Sequence, residues 1–135
     1  MSVKQINDWI GFAQEALIKF EIANGKREIE KNFRGQISSF GAAISMGNLK
    51  SAIAFFAQQK SADVPREKLL FAICYVLQRG VNNLAEEDID TEKLKNASAI
   101  FTYVCRHDGD GIALKNKFLD ASVALKLAMN LFTLT

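Results

Sequence analysis

Apolar residues recur every three or four positions along most of the chain, which is the spacing of one face of an α-helix. The clearest stripe lies at the start of the chain and consists of Val3, Ile6, Ile10, Ala13, Leu17 and Phe20. It predicts a first helix of about five turns. Asn24-Gly25 is expected to end this helix, because both residue types tolerate the left-handed backbone conformation found at helix ends.

The same periodicity, read together with capping residues, glycines and the single proline, predicts five further helices. They are expected at about residues 28–46, 49–59, 66–79, 92–106 and 112–132. Pro65 suits the first position of the fourth helix, which Gly80 ends. Residues 81–90 are expected to be irregular and residues 107–111 to form a turn. The predicted fold class is therefore all-α, a compact bundle of five to seven helices.

The break between the second and third helices is marked by Gly47 and Asn48. Gly47 is expected to be left-handed, because a residue without a Cβ meets no steric penalty there. Asn48 is expected to cap the third helix through its side-chain oxygen. Small residues are expected on the faces where the two helices meet. They are Ala42, Ala43, Ser45 and Gly47 before the break, and Ser51, Ala52, Ala54 and Ala57 after it.

Length and composition are those of one ordinary globular domain spanning residues 1–135. The chain is 49% hydrophobic and 24% charged, which is typical of soluble proteins. No apolar run approaches the roughly 20 residues that span a bilayer, and the first residues lack a signal-peptide core. A cytoplasmic location is therefore expected. Cys74 and Cys105 lie in apolar segments and are interpreted as small core residues rather than a disulfide.

Charge is unevenly distributed, although the net charge is only +2. Residues 1–68 hold ten Lys or Arg against seven Asp or Glu, and the remainder holds seven against eight. An acidic cluster lies between the fourth and fifth helices. Its members are Glu86, Glu87, Asp88, Asp90 and Glu92. These numbers permit a weakly basic face on the amino-terminal half without requiring one.

No residue pattern indicates catalysis, a metal or a cofactor. His107 with Asp108 and Asp110 offers too few ligands for a zinc site. A calcium loop starting at Asp108 would need a glutamate where Leu119 stands. The segment is therefore interpreted as a turn. No phosphate-binding glycine motif is present, and Cys74 lies in an apolar helix where a thiol is inert. We expect no enzymatic activity.

Basic residues cluster at the start of the second predicted helix. Arg27, Lys31 and Arg34 are spaced to share one helical face, and a rigid row of cations can meet successive phosphates. The alternative is that Glu28 and Glu30 neutralise the row, leaving a merely solvated face; taken alone, the residues favour this alternative. For Trp9 and Phe12 the two interpretations are stacking on RNA bases and packing in the core. Aromatic residues at helical spacing more often pack in the core.

Two segments carry a family resemblance. The first is Leu49-Lys-Ser-Ala-Ile-Ala-Phe-Phe56, which follows a helix with basic and aromatic residues at its start and a glycine break. The second is Ala124-Leu-Lys-Leu-Ala-Met-Asn-Leu-Phe132, an apolar stripe interleaved with a lysine. In this order and spacing the chain resembles the small helical subunit of type III-B (Cmr-type) CRISPR RNA-guided effector complexes. The related Csm-type small subunit is an alternative with the same function.

The resemblance implies a non-catalytic subunit of an antiviral ribonucleoprotein. Such a subunit stacks head to tail with copies of itself along the guide–target RNA duplex, contacts other effector-complex subunits, and holds the RNA backbone without reading sequence. The basic 26–34 face and the acidic 86–92 cluster would then be opposite poles of the stack. The residues expected to contact RNA are Arg27, Lys31, Arg34 and Lys50, with Lys26 and Lys60 behind them.

The competing interpretation is a helical protein-interaction adaptor or oligomeric scaffold that binds no nucleic acid. Its supporting feature is the small and apolar surface around Gly47. Salt dependence separates the two interpretations, because RNA retention through phosphate contacts falls with ionic strength.

Overall fold

A computed structural model describes residues 3–56, 67–80, 104–105 and 111–135, with side chains from residue 114 onward in the last range. The helices are α1 Val3–Lys19, α2 Lys31–Met46, α3 Leu49–Phe56, α4 Glu67–Gly80 and α5 Gly111–Ala128, followed by the 3-10 turn Met129–Leu131. Two short strands are β1 Glu28–Ile29 and β2 Thr133–Leu134. The prediction of an all-α bundle is confirmed.

Helices α1, α4 and α5 pack against one another, α2 packs on α5, and α3 packs on α2 and α4. Buried apolar side chains from all five helices form one continuous core. Half of the 14 residues of α4 are buried, as its dense apolar run predicts. A polar link also crosses the bundle, because Gln5 Nε2 donates to Asp120 Oδ2 at 3.0 Å.

The buried stripe of α1 differs in part from the predicted one. Ile6, Ala13 and Leu17 are buried as expected, whereas Val3 is exposed. Trp9 is buried instead, along with Ala16. The buried face is wider than the predicted stripe because α1 packs against two helices, α4 and α5, and a helix with two neighbours buries more than a single row.

The first helix ends earlier than predicted. It stops at Lys19, and the left-handed residue is Glu21, with φ of 57°. The N–H groups of Ile22 and Ala23 both donate to Leu17 O at 3.0 Å, which satisfies a carbonyl at the helix end. The prediction that Asn24-Gly25 ends the helix is therefore wrong.

The second predicted helix begins late and the last one ends early. Residues 28–29 are extended, and residues 133–134 lie parallel to them, with Glu28 opposite Thr133 and Ile29 opposite Leu134. The last helix stops at Ala128 rather than Phe132. Two-residue strands carry too little periodicity to be recognised locally, and their partner lies at the far end of the chain.

The α2–α3 hairpin is held by large side chains rather than small ones. The rings of Phe40 and Phe56 lie 4.9 Å apart, centre to centre, at an interplanar angle of 60°. Of the predicted small contacts, Ala52 is buried. Several others face outward and are exposed, namely Ala42, Ser45, Gly47, Ser51 and Ala54. The predicted small-residue interface is therefore wrong for most of its members.

The break itself is only partly as predicted. Asn48 caps α3, its Oδ1 accepting from Ser51 N at 2.8 Å. Gly47 is not left-handed, since its φ is −128° and its ψ −120°. A Cβ at Gly47 would lie 3.1 Å from Ala43 O, which accepts the Gly47 N–H. Close approach to this carbonyl, rather than a left-handed conformation, is what favours glycine here.

Several predictions lie outside the described residues. These are the end of the third helix, the loop with Pro65, the irregular stretch at residues 81–90, most of the 92–106 helix, the turn at residues 107–110, Ala57, Lys60 and the acidic 86–92 cluster. Cys105 is described and is exposed, so the prediction that it is a core residue is wrong. Cys74 is buried, and both cysteines are free.

Candidate nucleic-acid interface

The predicted RNA-contacting residues divide into two groups. Lys26 and Arg27 lie in the turn before β1, and Lys31 is the first residue of α2. Lys50 lies in α3, beyond the other end of α2. Since α2 has 16 residues and is therefore about 24 Å long, Lys31 and Lys50 lie near opposite ends of this helix. The cations therefore do not form one continuous row.

Arg27 does not share a helical face with Lys31 and Arg34. The helix begins at Lys31, and Arg27 lies outside it with φ of 60°. The predicted row of three is therefore wrong, because the extended residues of β1 interrupt the helical spacing. Lys31 and Arg34 remain neighbours on α2, where Lys31 is exposed and Arg34 half-buried.

We name residues 24–28, Asn-Gly-Lys-Arg-Glu, the basic turn. Its geometry is set by Asn24, whose Oδ1 accepts from Lys26 N at 2.9 Å and from Glu28 N at 3.0 Å. The backbone adds two bonds, Asn24 N to Glu28 O and Arg27 N to Asn24 O. Asparagine suits this role because its side chain can accept from backbone N–H groups further along the chain. The result is a closed turn with Lys26 and Arg27 exposed.

The Arg27 side chain is stacked on an aromatic ring. Its guanidinium carbon, Cζ, lies 4.5 Å from the centre of the Phe132 ring, within the range of a cation–π interaction. Phe132 is 8% exposed, while Arg27 is exposed. The backbone of Arg27 is also bound, because Thr133 N donates to Arg27 O at 3.0 Å. Arg27 is thus held by two consecutive residues from the far end of the chain.

Thr135, the residue after β2, adds a hydrogen bond to the backbone of Lys31. Thr135 N donates to Ile29 O at 2.9 Å, and Lys31 N donates to Thr135 O at 3.1 Å. The latter bond satisfies one of the N–H groups that every helix start leaves without an intrahelical partner. Glu30, at the N-cap of α2, makes no side-chain capping bond. Arg27 and Lys31 therefore lie on either side of β1 in sequence, and their backbones are bound by Thr133 and Thr135.

No carboxylate of the described residues forms an ion pair with these cations. Glu28 Oε1 accepts from Asn24 Nδ2 at 2.9 Å and so belongs to the turn itself. Among the described residues, Lys26, Arg27, Lys31 and Arg34 form no ion pair, the pair within 4.0 Å being Arg79 with Glu15. The alternative of local neutralisation by salt bridges is therefore not what the described geometry shows.

Trp9 and Phe12 belong to the core rather than to a stacking surface. Trp9 is 3% exposed, and Phe12 packs against the core. Arg79 Cζ lies 5.6 Å from the centre of the Phe12 ring, and Arg79 also pairs with Glu15 at 3.9 Å. Trp9, Phe12 and Arg79 border a groove of about 500 Å³ between α1 and α4, which Lys4 also lines. Of its two cations, Arg79 is already engaged by Glu15, and the Trp9 indole is buried.

The buried thiol of Cys74 does not have the surroundings of a nucleophile. Burial raises the pKa of the Cys74 thiol to about 12, so the thiolate is disfavoured at neutral pH. No group of three or more His, Cys, Asp or Glu side chains within the described ranges could hold a metal ion.

Phe132 is a residue of the candidate site that the sequence prediction missed. It was expected to continue the apolar face of the last helix. The signal that points elsewhere is the alternation in Leu131-Phe-Thr-Leu-Thr135, because threonine and aromatic residues favour strands. That signal is short, and nothing in it identifies Arg27 as the partner.

Comparison of this chain with family models, with curated proteins and with solved structures finds no match. No helix within the described residues is long and apolar enough to cross a membrane. The resemblance to the CRISPR small subunit therefore stays a prediction that rests on the two segments quoted above and on the chain's own residues.

Proposed function

We propose that this protein is a non-catalytic small subunit of a type III CRISPR RNA-guided effector complex. It holds the sugar-phosphate backbone of the guide and target RNA and leaves sequence recognition to base pairing. Partners are other subunits of the complex and further copies of itself. In the proposal the effector complex acts in the cytoplasm and binds no membrane.

The observation that carries the proposal is the exposed cationic group formed by Lys26, Arg27 and Lys31. The three residues lie around one closed turn and one strand pair, and their side chains have no carboxylate partner among the described residues. Cations on a rigid backbone neutralise phosphates and release counterions without contacting base edges. This is the chemistry that a backbone-holding subunit requires.

Arg34 and Lys50 have secondary roles in the proposal. Both are half-buried, and Lys50 lies at the opposite end of α2 from the basic turn. A second RNA contact near the other end of this helix, which is about 24 Å long, would align α2 along the nucleic acid. It would not add to the phosphate contacts made by the basic turn. Lys60, outside the described residues, stays a predicted contact.

The outward-facing surface of the α2–α3 hairpin supports assembly with other protein subunits. Met46 is 90% exposed and Phe55 51% exposed. Exposed small residues beside them permit close approach of another chain. Head-to-tail stacking joins two different surfaces, since such contacts propagate without closing. In the proposal these two surfaces are the basic 26–34 face and the acidic 86–92 cluster, and the hairpin surface contacts other subunits of the complex.

The test is an affinity purification of tagged protein from its native host, followed by sequencing of co-purified RNA and identification of partners. The proposal expects short RNAs that share a repeat-derived end, together with several larger proteins. Lys31→Glu and Arg34→Glu should together reduce RNA retention or assembly. Lys115→Glu is the matched control, because Lys115 lies in α5 about 20 Å along the helix from its end nearest Phe132.

A salt titration of purified protein gives the quantitative form of this test. If Lys31 meets one phosphate, Lys31→Gln should reduce the slope of log K against log salt by about 0.7 to 0.9. The loss should be the same for unrelated RNA sequences. A loss confined to one sequence would contradict a backbone-only role.

The second candidate function is a protein-interaction adaptor without nucleic acid, which the exposed Met46 and Phe55 also favour. In the same purification it predicts protein partners and no RNA. Retention of partners unchanged by the basic substitutions, but lost in Phe55→Ser, would transfer the assignment to the adaptor.

A further inference from the structure

Arg27 and Phe132 are far apart in sequence but form one unit in the fold. The guanidinium of Arg27 lies against the Phe132 ring at 4.5 Å, and its carbonyl accepts from the next residue, Thr133. The φ of 60° at Arg27 is one that non-glycine residues seldom adopt. Side chain and backbone of Arg27 are therefore both fixed by the segment that follows α5.

An arginine side chain that is fixed before it binds loses less conformational entropy on binding. A free arginine loses much of its rotamer freedom when it holds a phosphate, whereas a side chain already held in place loses less. Phe132 leaves the guanidinium exposed while restricting its motion. The strand pair restricts the backbone on which it is mounted.

We propose that Phe132 and strand β2 position Arg27 for contact with RNA, so that residues which touch no nucleic acid determine its affinity. This inference rests on the function proposed above and deepens it. Phe132 is a positioning residue, because it acts through Arg27. The partner is the RNA phosphate backbone, since a guanidinium is suited to bidentate contact with phosphate oxygens.

Strand β2 allows the backbone contribution to be separated from the ring. The N–H groups of Thr133 and Thr135 donate towards β1, to Arg27 O and Ile29 O. Leu134 lies between them, and alternation along a strand directs its N–H away from β1. Proline at position 133 removes the bond to Arg27, whereas proline at position 134 removes no bond to β1.

The central experiment is a double-mutant cycle on RNA affinity, measured by fluorescence anisotropy with a labelled single-stranded RNA and with a duplex of the same sequence. Phe132→Leu keeps an apolar side chain and removes the ring. It should weaken binding about two- to tenfold, the range expected for one immobilised side chain. In an Arg27→Ala background the same substitution should have no further effect.

The proline pair provides a second route that leaves Phe132 intact. Thr133→Pro should weaken RNA binding by a similar factor, and Leu134→Pro should leave it unchanged. Circular dichroism and thermal unfolding of each variant establish that the helices are retained. A Phe132→Leu protein that fails to fold leaves the proline comparison to decide the inference.

A readout without RNA tests the contact itself. The ring current of Phe132 should shift the Arg27 side-chain proton resonances upfield in the NMR spectrum. That shift should disappear in Phe132→Leu, decrease in Thr133→Pro and persist in Leu134→Pro. Persistence in Phe132→Leu would show that the ring does not hold the guanidinium and would overturn the inference.

The binding outcomes distinguish this inference from the proposed function. If Arg27→Ala weakens binding while Phe132→Leu and Thr133→Pro do not, the inference is overturned and the function stands. If Phe132→Leu acts equally in both backgrounds, Phe132 works through the fold and the inference is again overturned. If the unsubstituted protein binds neither the single-stranded RNA nor the duplex, the result contradicts both direct RNA binding by this protein and the inference.

Discussion

The centre of the bundle and the basic turn at its edge are held together by different interactions. In the centre, large side chains such as Phe40, Phe56 and Phe118 are fully buried. At the edge, the turn depends on hydrogen bonds that Asn24 accepts, on the bond that Thr133 N donates to Arg27 O, and on one cation–π contact. The centre is therefore sensitive to volume, and the edge to single polar groups.

This difference indicates which part of the molecule can serve binding. A close-packed core transmits any change of volume to its neighbours, so substitutions there should affect overall stability. Exposed hydrogen bonds can open locally at low free energy. The basic turn can then be altered without unfolding the helices, so its proposed role in binding can be tested separately from stability.

The largest expected effect comes from two adjacent phenylalanines in α3. Phe56 is fully buried against Phe40, and Phe55 is 51% exposed. Phe56→Ala should lower the free energy of unfolding by about 3 to 5 kcal/mol, whereas Phe55→Ala should cost less than about 1 kcal/mol. Urea denaturation of both variants measures the contrast. Equal losses would mean that α3 is not packed as described.

Gly80 provides the converse test, overpacking of the core. A Cβ added there would lie 2.6 Å from Trp9 Cε2 and 2.8 Å from Trp9 Cδ1. Gly80→Ala should therefore cost about 3 kcal/mol, the upper end for overpacking. The control is Gly35→Ala within α2, where nothing lies within 4 Å of the added Cβ, and helix propensity should give a gain of up to about 1 kcal/mol. Thermal unfolding compares the two, and a neutral Gly80→Ala would contradict the Trp9 packing.

Burial of Cys74 should make stability depend on alkaline pH. Its pKa is raised by desolvation to about 12 in the folded protein, from 9.0. The thiol stays protonated in the fold and ionises in the unfolded chain, so stability is full below pH 9 and falls as pH rises towards 12. Between pH 8 and 10.5 this group should account for about 2 kcal/mol of lost stability.

The measurement is the pH dependence of urea unfolding, compared between the native chain and Cys74→Ala. Between pH 8 and 10.5 the free energy of unfolding of Cys74→Ala should fall by about 2 kcal/mol less than that of the native chain. Cys74→Ser is the matched control, because it differs in polarity but does not ionise in this range either. The two variants should share one pH slope, and a slope equal to that of the native chain would contradict burial of the thiol.

The smallest effect on stability is expected at the basic turn. Asn24→Ala removes three side-chain hydrogen bonds that are exposed to solvent, and should cost about 1 kcal/mol. Amide hydrogen exchange at Lys26 and Glu28 should become faster, while exchange in α4 stays slow. Asn32→Ala, at an exposed position in α2, is the control. Faster exchange throughout the bundle would remove the distinction between edge and centre.

Local sequence signals predicted the helices well where the residues that decide the element lie close together in the chain. The apolar run of α4 and the cap at Asn48 are examples, since both depend on residues close in sequence. The predicted small-residue interface failed because helix faces were assigned from residue size. Phe40 and Phe56 bury more apolar surface than alanine or serine does, and they occupy the contact instead.

The candidate site was predicted less completely than the fold. The exposed cations Lys26, Arg27 and Lys31 were identified from composition and spacing. Their arrangement was not, because the row assumed a helix that begins only at Lys31. Phe132 was missed since its partner, Arg27, lies near the other end of the chain and no local pattern relates the two.

The sequence by itself determined that this protein is helical, because the spacing of apolar residues and the capping residues act over one or two turns. The tertiary structure decided which small residues face outward and that Lys50 lies apart from the basic turn. It also decided that Thr133 and Thr135 bind the backbones of Arg27 and Lys31. These features depend on contacts between residues distant in sequence. Such contacts form only where the packing of whole helices brings the segments together.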